Sequence, residues 1–286
     1  FTMMNNARIN VGSQGVQIAE RATQQALAYA LERVQSARAG AEDRTPVAIM
    51  DHPDVRRMLL RMRSLTEAMR GLLYYTAGQV DRGDIGDAAA KARAEVLVPM
   101  LKAWATDTGI EVASLGIQVH GGMGFVEETG AAQHFRDARI APIYEGTNGI
   151  QAADLVTRKL GLENGEVLQA LFADIARDAG EEVRLQALAG ECAAIAKWMR
   201  EDASLDDRLA GSVPFTTMCA VAVAGWCLTK QHAALTESDD TQRAHAKQVT
   251  MRFFLDHIVP EAIGLKASAT AGAALLYELD GSVLAA

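Results

Sequence analysis

Residues 53–73 read PDVRRMLLRMRSLTEAMRGLL. Val55, Met58, Leu59, Met62, Leu65, Met69, Leu72 and Leu73 recur at spacings of three and four, the signature of an amphipathic helix with one apolar stripe. The preceding "DHP" at 51–53 is a helix start, with Pro53 where a missing N–H leaves nothing unpaired. The same spacing runs through 16–34, with Ala19, Ala22, Ala26, Leu27, Ala30, Leu31 and Val34 on one stripe. A polar loop, "SARAGAEDRTPVAI" at 36–49, joins the two. A third long helix is expected from Ile85 to Val119, bent near Pro99, which removes one backbone hydrogen bond.

"VHGGMGFVEETG" at 119–130 ends that helix, a short amphipathic helix follows, and another is expected over 147–160. "GLENGE" at 161–166 reads as a boundary. Beyond it helical patterns recur over about 165–178, 180–201, 215–236, 239–258 and 259–278, with the acidic "ESDD" at 237–240 as one connection. Long alternating β patterns are absent. The expected fold class is all-α: a long-helix bundle over 1–162 and a second helical domain over 163–286.

Of the 286 residues 49% are hydrophobic, ample for a core, and the net charge is −8 with Lys and Arg scattered. That balance argues against a nucleic-acid partner. No uninterrupted apolar run of about 18 residues occurs, so no membrane span is expected. The opening "FTMMNNARIN" lacks the basic-then-apolar order of a signal peptide, and Phe1 begins in mid-pattern, as if cut from something longer. Cys192, Cys219 and Cys227 fit neither a disulfide scaffold nor a zinc spacing. They are expected to be reduced packing residues of a cytoplasmic protein. No metal site is indicated.

Three segments could carry chemistry. In "QVHGGMGF", Gln118 to Phe125, Gly121, Gly122 and Gly124 would let a ligand approach the backbone; equally, they would cap and turn a helix. In "PIYEGTNGIQ" at 142–151, Thr147 is a good N-cap and Glu145 stands at the mouth of the helix. It could serve as a general base, its pKa raised by partial burial beside Ile143 and Tyr144; equally, it could only favour the positive helix end. Arg8 in "MMNNARINVGSQG" could fix an anion or simply be solvated. Taken one at a time, the plainer reading is favoured for each.

In this order and spacing, "NNARINVGSQGVQIAERATQQALAYALERVQ", "QVHGGMGF" and "FRDARIAPIYEGTNGIQ" resemble the C-terminal half of the acyl-CoA dehydrogenase family over roughly 1–160. Residues 165–286 resemble the extra helical C-terminal domain of its longer members, a group that includes the 3-methylmercaptopropionyl-CoA dehydrogenases. The resemblance implies an α-helical bundle packed behind FAD, with the family's N-terminal helical and middle β domains outside this sequence.

By position it implies that Glu145 removes the α-proton of an acyl-CoA thioester while the β-hydrogen leaves as hydride to FAD, giving a 2-enoyl-CoA. The thioester carbonyl would be held by the Glu145 N–H and a flavin hydroxyl. Some members carry the base on the first helix, at the place of Ala7, which cannot act. Asn5, Arg8 and Gly146 match substrate-contacting positions. Gln118, Gly121 and Gly122 match residues that meet the FAD adenosine diphosphate, from a neighbouring subunit of a homo-oligomer. Thr147 and Gly149 match positions touching FAD, Gly149 through backbone only. Arg33, followed by Gln35, matches a flavin-contacting stretch, although "SARAG" departs from the family there. Arg136 is expected to pair with Asp137 or a neighbouring helix end. An electron-transfer protein is the implied acceptor. The resemblance also admits a non-catalytic oligomerisation module of the alkylation-response type, or an acyl-CoA oxidase. The isolated chain is expected to be inactive.

Overall fold

The computed structural model describes residues 2–236 and 240–284, so most of the acidic link at 237–240 lies outside the described residues. Among the described residues all regular structure is helical, apart from one antiparallel bridge between Val34 and Ala48. The first half holds α1 (Thr2–Glu32), α2 (Pro53–Asp84), α3 (Ala88–His120), α4 (Gly122–Phe125), α5 (Ala131–Ala138) and α6 (Asn148–Asp154). The second holds α7 (Glu166–Asp178), α8 (Val183–Glu201), α9 (Leu205–Ala210), α10 (Ser212–Thr236), α11 (Thr241–Phe253), α12 (Val259–Gly264), α13 (Lys266–Ala269) and α14 (Gly281–Leu284). Wider π turns over 155–159 and 254–258 follow α6 and α11.

The α2 stripe packs as expected: Met58, Leu59, Met62, Leu65, Met69 and Leu72 are buried. The α1 stripe does not. Ala19, Ala22, Ala26 and Ala30 are buried, but Leu27, Leu31 and Val34 are exposed. The reason is how closely α1 lies on α3. A Cβ added to Gly15 would stand 2.3 Å from the Ala105 carbonyl oxygen, and one on Gly109 would stand 2.9 Å from the Gly15 oxygen. Backbones this close leave room only for small side chains between them, so the large ones face outward.

α3 starts later than expected. Ile85 and Gly86 form the turn after α2, with Gly86 at φ 105°, and Asp87 caps α3 by accepting from the Ala90 amide at 2.9 Å. The helix then runs unbroken through Pro99. The expected helix over 259–278 is instead α12, α13 and a short 3₁₀ turn at Ala274–Tyr277. The unanticipated α9 has a sequence cue after all, a capping box between Ser204 and Asp207.

α10 is long and apolar enough by composition to cross a membrane, yet most of it is buried inside the protein. It packs against α2, α3, α8 and α11 as a core helix. One hydrophobic cluster runs from Val16 to Ala269, through both halves. Polar ties reinforce it: Arg61 donates to both Glu261 oxygens at 2.7 and 2.8 Å, and Lys247 pairs with Glu67. The three cysteines are free and buried.

Candidate active site

The segment between α5 and α6 folds back on itself. The Asn148 amide donates to the Pro142 carbonyl at 3.0 Å, and Thr147 caps α6 as expected, its hydroxyl accepting from the Ile150 amide at 3.2 Å. Within this loop Glu145 and Gly146 are both left-handed, at φ 55° and 85°. A Cβ at 146 would also sit 2.7 Å from the Gln151 side-chain nitrogen, so a larger residue there would displace that amide. A glutamate in this conformation stores on the order of 1–2 kcal/mol of strain, which persists where the surroundings over-determine it.

The Glu145 side chain is exposed, and so is Ile143. The burial expected from Ile143 and Tyr144 is therefore not supplied by these two residues. Tyr144 instead donates its hydroxyl to Gln14. Among the described residues the Glu145 amide meets no acceptor, which leaves it free for a bound oxygen.

Beneath the loop lies a buried polar layer. Arg8 is only 6% exposed, against the expectation of a solvated residue read from its segment alone. It pairs with Asp154 at 3.7 Å and approaches Gly146, its Nη2 lying 3.9 Å from where a Cβ would be. Arg8 Nε, Asp154 Oδ2 and both polar atoms of the Gln151 amide have no hydrogen-bond partner among the described residues. Unpartnered buried groups on this scale mark a place where water or a ligand belongs. Asn5 is committed elsewhere: it donates to Glu95 at 3.1 Å, which also takes Lys159.

Sequence reasoning missed Lys102. It is fully buried on α3, and its ammonium donates to the Gly146 carbonyl at 2.7 Å and to Asn148 Oδ1 at 2.9 Å. Burial pushes its pKa down to about 8, Asp107 and Glu145 acting against that shift and Arg8 with it. The signal was present as a lone lysine inside the apolar run "VLVPMLKAWA" at 96–105.

The other expected residues gather at the far end of α3. Arg33, Gln118, Gly121 and Gly122 line one cleft of about 580 Å³ with Tyr29, Gln35 and His52. Arg33 donates to Gln35 at 2.8 Å, and Tyr29 stacks on His120 at 4.4 Å. Gly121 turns the chain at φ 60°, and a Cβ on it or on Gly122 would meet nothing within 4 Å. Guanidinium, amide and bare backbone suit an anionic, ring-bearing ligand. From Lys102 to Gln118 along α3 is roughly 24 Å at 1.5 Å per residue. Thr147 and Gly149 therefore stand with Glu145, and the other four with a separate cleft. Of the two partners expected for Arg136, the structure supplies the neighbouring helix end and not Asp137: it pairs at 3.7 Å with Glu127, which opens the 3₁₀ turn Glu127–Thr129, and donates to Gln133 at 2.6 Å.

Residues 1–160 match the family described as acyl-CoA dehydrogenase, C-terminal domain. The chain belongs to the acyl-CoA dehydrogenase family. Residues 167–280 match a second family, acetyl-CoA dehydrogenase C-terminal like, which accounts for the helices beyond the bundle. The chain is 43% identical to a 3-methylmercaptopropionyl-CoA dehydrogenase of Ruegeria pomeroyi, over 91% of this chain and 48% of that protein. It is 27% identical to the broad-specificity linear acyl-CoA dehydrogenase FadE5 of Mycobacterium tuberculosis, over 91% and 48%. The chain thus spans about half the length of these relatives. An acyl-CoA dehydrogenase of Bacillus anthracis, solved with FAD, shares the fold at TM-score 0.77 and 19% identity, covering all of this chain and 51% of that one. ACDH-11 of Caenorhabditis elegans, solved with C11-CoA, does so at 0.71 and 19%, covering 90% and 43%.

Proposed function

We propose that this chain is the C-terminal part of an FAD-dependent acyl-CoA dehydrogenase, with Glu145 as the base that removes the α-proton of an acyl-CoA thioester. The observation that carries this reading is the Glu145 loop. A non-glycine residue is held left-handed, its carboxylate exposed and its amide free, directly above a buried arginine. Ala7, at the place of the rival base, has no group to take a proton.

The residues divide the work. Glu145 takes the proton. Its own amide donates to the thioester oxygen as negative charge develops there, where a fixed donor is most effective. Arg8, whose Nη2 approaches Gly146, would supply positive potential to the same place. Bound FAD would take the β-hydrogen as hydride. The Arg33, Gln118, Gly121 and Gly122 cleft suits its adenosine diphosphate end. The separation of that cleft from Glu145 supports its serving the FAD of a neighbouring subunit. Thr147 and Gly149, beside Glu145, would meet the flavin of their own site. An electron-transfer protein would reoxidise the flavin; release of peroxide from acyl-CoA would instead mark an oxidase.

Glu145→Gln in the full-length, flavin-loaded protein should lower turnover by about 10²–10⁴-fold, the usual contribution of a general base, with flavin content retained. Near wild-type turnover would remove Glu145 from this role. The isolated chain should be inactive and hold FAD weakly; a yellow purified chain would contradict that.

A further inference from the structure

We infer that Lys102 is a positioning residue for Glu145, its ammonium gripping the loop so that base and amide face the substrate together. The inference rests on the reading of Glu145 as base, and deepens it.

Lys102 makes no ion pair among the described residues, although it is fully buried. Asp107 and Glu145 act on it only from beyond ion-pair distance, and a buried ammonium with no carboxylate in contact is expensive and is retained where its hydrogen bonds matter. Both of its contacts are to the loop: the Gly146 carbonyl at 2.7 Å and Asn148 Oδ1 at 2.9 Å. The Asn148 side chain turns back to the same turn of α3, donating to the Ala103 carbonyl at 3.0 Å and the Thr106 hydroxyl at 2.9 Å. The Asn148 amide then closes the loop on Pro142.

One turn of α3, residues 102–106, thus holds the C-terminal side of the strained Glu145–Gly146 pair, and Asn148 ties the other side back through Pro142. The consequence follows from peptide geometry. A trans peptide points its C=O and N–H in opposite directions, so drawing the Gly146 carbonyl inward onto Lys102 turns the Thr147 amide outward. The same grip restrains Gly146 ψ, the joint through which that anchored peptide connects back to Glu145. A merely structural lysine would stabilise the fold; this one constrains a single loop conformation that the glutamate would otherwise leave.

The test is Lys102→Met in the flavin-loaded protein, which keeps the stem and removes the ammonium. Turnover should fall by about 100-fold, the effect of a displacement near 1 Å. KM for the acyl-CoA and flavin content should stay at wild-type values, the melting temperature should not fall below wild type, and hydrogen exchange at the Asn148 amide should quicken. Unchanged turnover with unchanged exchange would overturn the inference, as would a loss of turnover in a folded variant that only follows loss of flavin. Should that variant fail to fold, Asn148→Ala decides, since it cuts the second tether and leaves Lys102 in place: lowered turnover supports the inference and wild-type turnover overturns it. Retained turnover in Glu145→Gln would sink the base assignment by itself, while exchange at Asn148 in Lys102→Met would still report whether the lysine holds the loop.

Discussion

At the scale of single residues, Lys102 shows how a buried charge registers in stability. Its folded pKa, about 8, is below its ordinary 10.5. Between those values the unfolded chain binds more protons than the folded one, so stability rises with pH through this window. The penalty for burying the ammonium is fully present below pH 8. Lys102→Met removes it. The variant should therefore match or exceed wild type in urea midpoint at neutral pH, and that advantage should shrink as pH rises from 8 towards 10.5. A difference that stays flat over this range would mean the ammonium is not desolvated as the structure shows. Arg8 belongs to the same scale: nothing in its local sequence separates a solvated arginine from one buried against Asp154, because its partner lies far along the chain.

Among the elements, α1 and α3 pack backbone against backbone. Gly15 and Gly109 lie where a methyl group would overlap a backbone carbonyl. Gly15→Ala should cost about 1–3 kcal/mol, the usual range for overpacking, read as a lower urea midpoint. An unchanged midpoint would mean the helices separate without loss. The contact also explains which part of the helical pattern was legible. Period marked α1 and α2, since it comes from the chain itself, although the stripes read over 16–34 and 53–73 cover only part of Thr2–Glu32 and Pro53–Asp84. Which apolar residues of α1 face inward was set by the partner helix, and the partner chose alanine over leucine.

For the whole molecule, the hydrophobic cluster passes through both halves. Trp104 of the bundle meets Phe254 edge-on at 6.4 Å, with Phe254 supplied by the second half. The two halves should therefore unfold together, with tryptophan fluorescence and far-ultraviolet circular dichroism giving coincident urea transitions. Two separated transitions would show that the halves are independent.

The sequence by itself determined the all-α class, the long-helix order and the glycine-rich and Glu145 segments, because each rests on local periodicity or on an ordered set of motifs. Only the tertiary structure decided that Arg8 is buried, that Lys102 grips the loop, and that the expected ligand-binding residues divide between two ends of α3. Those facts depend on contacts between residues tens of positions apart, where burial is set by what packs above a side chain and not by its neighbours in sequence.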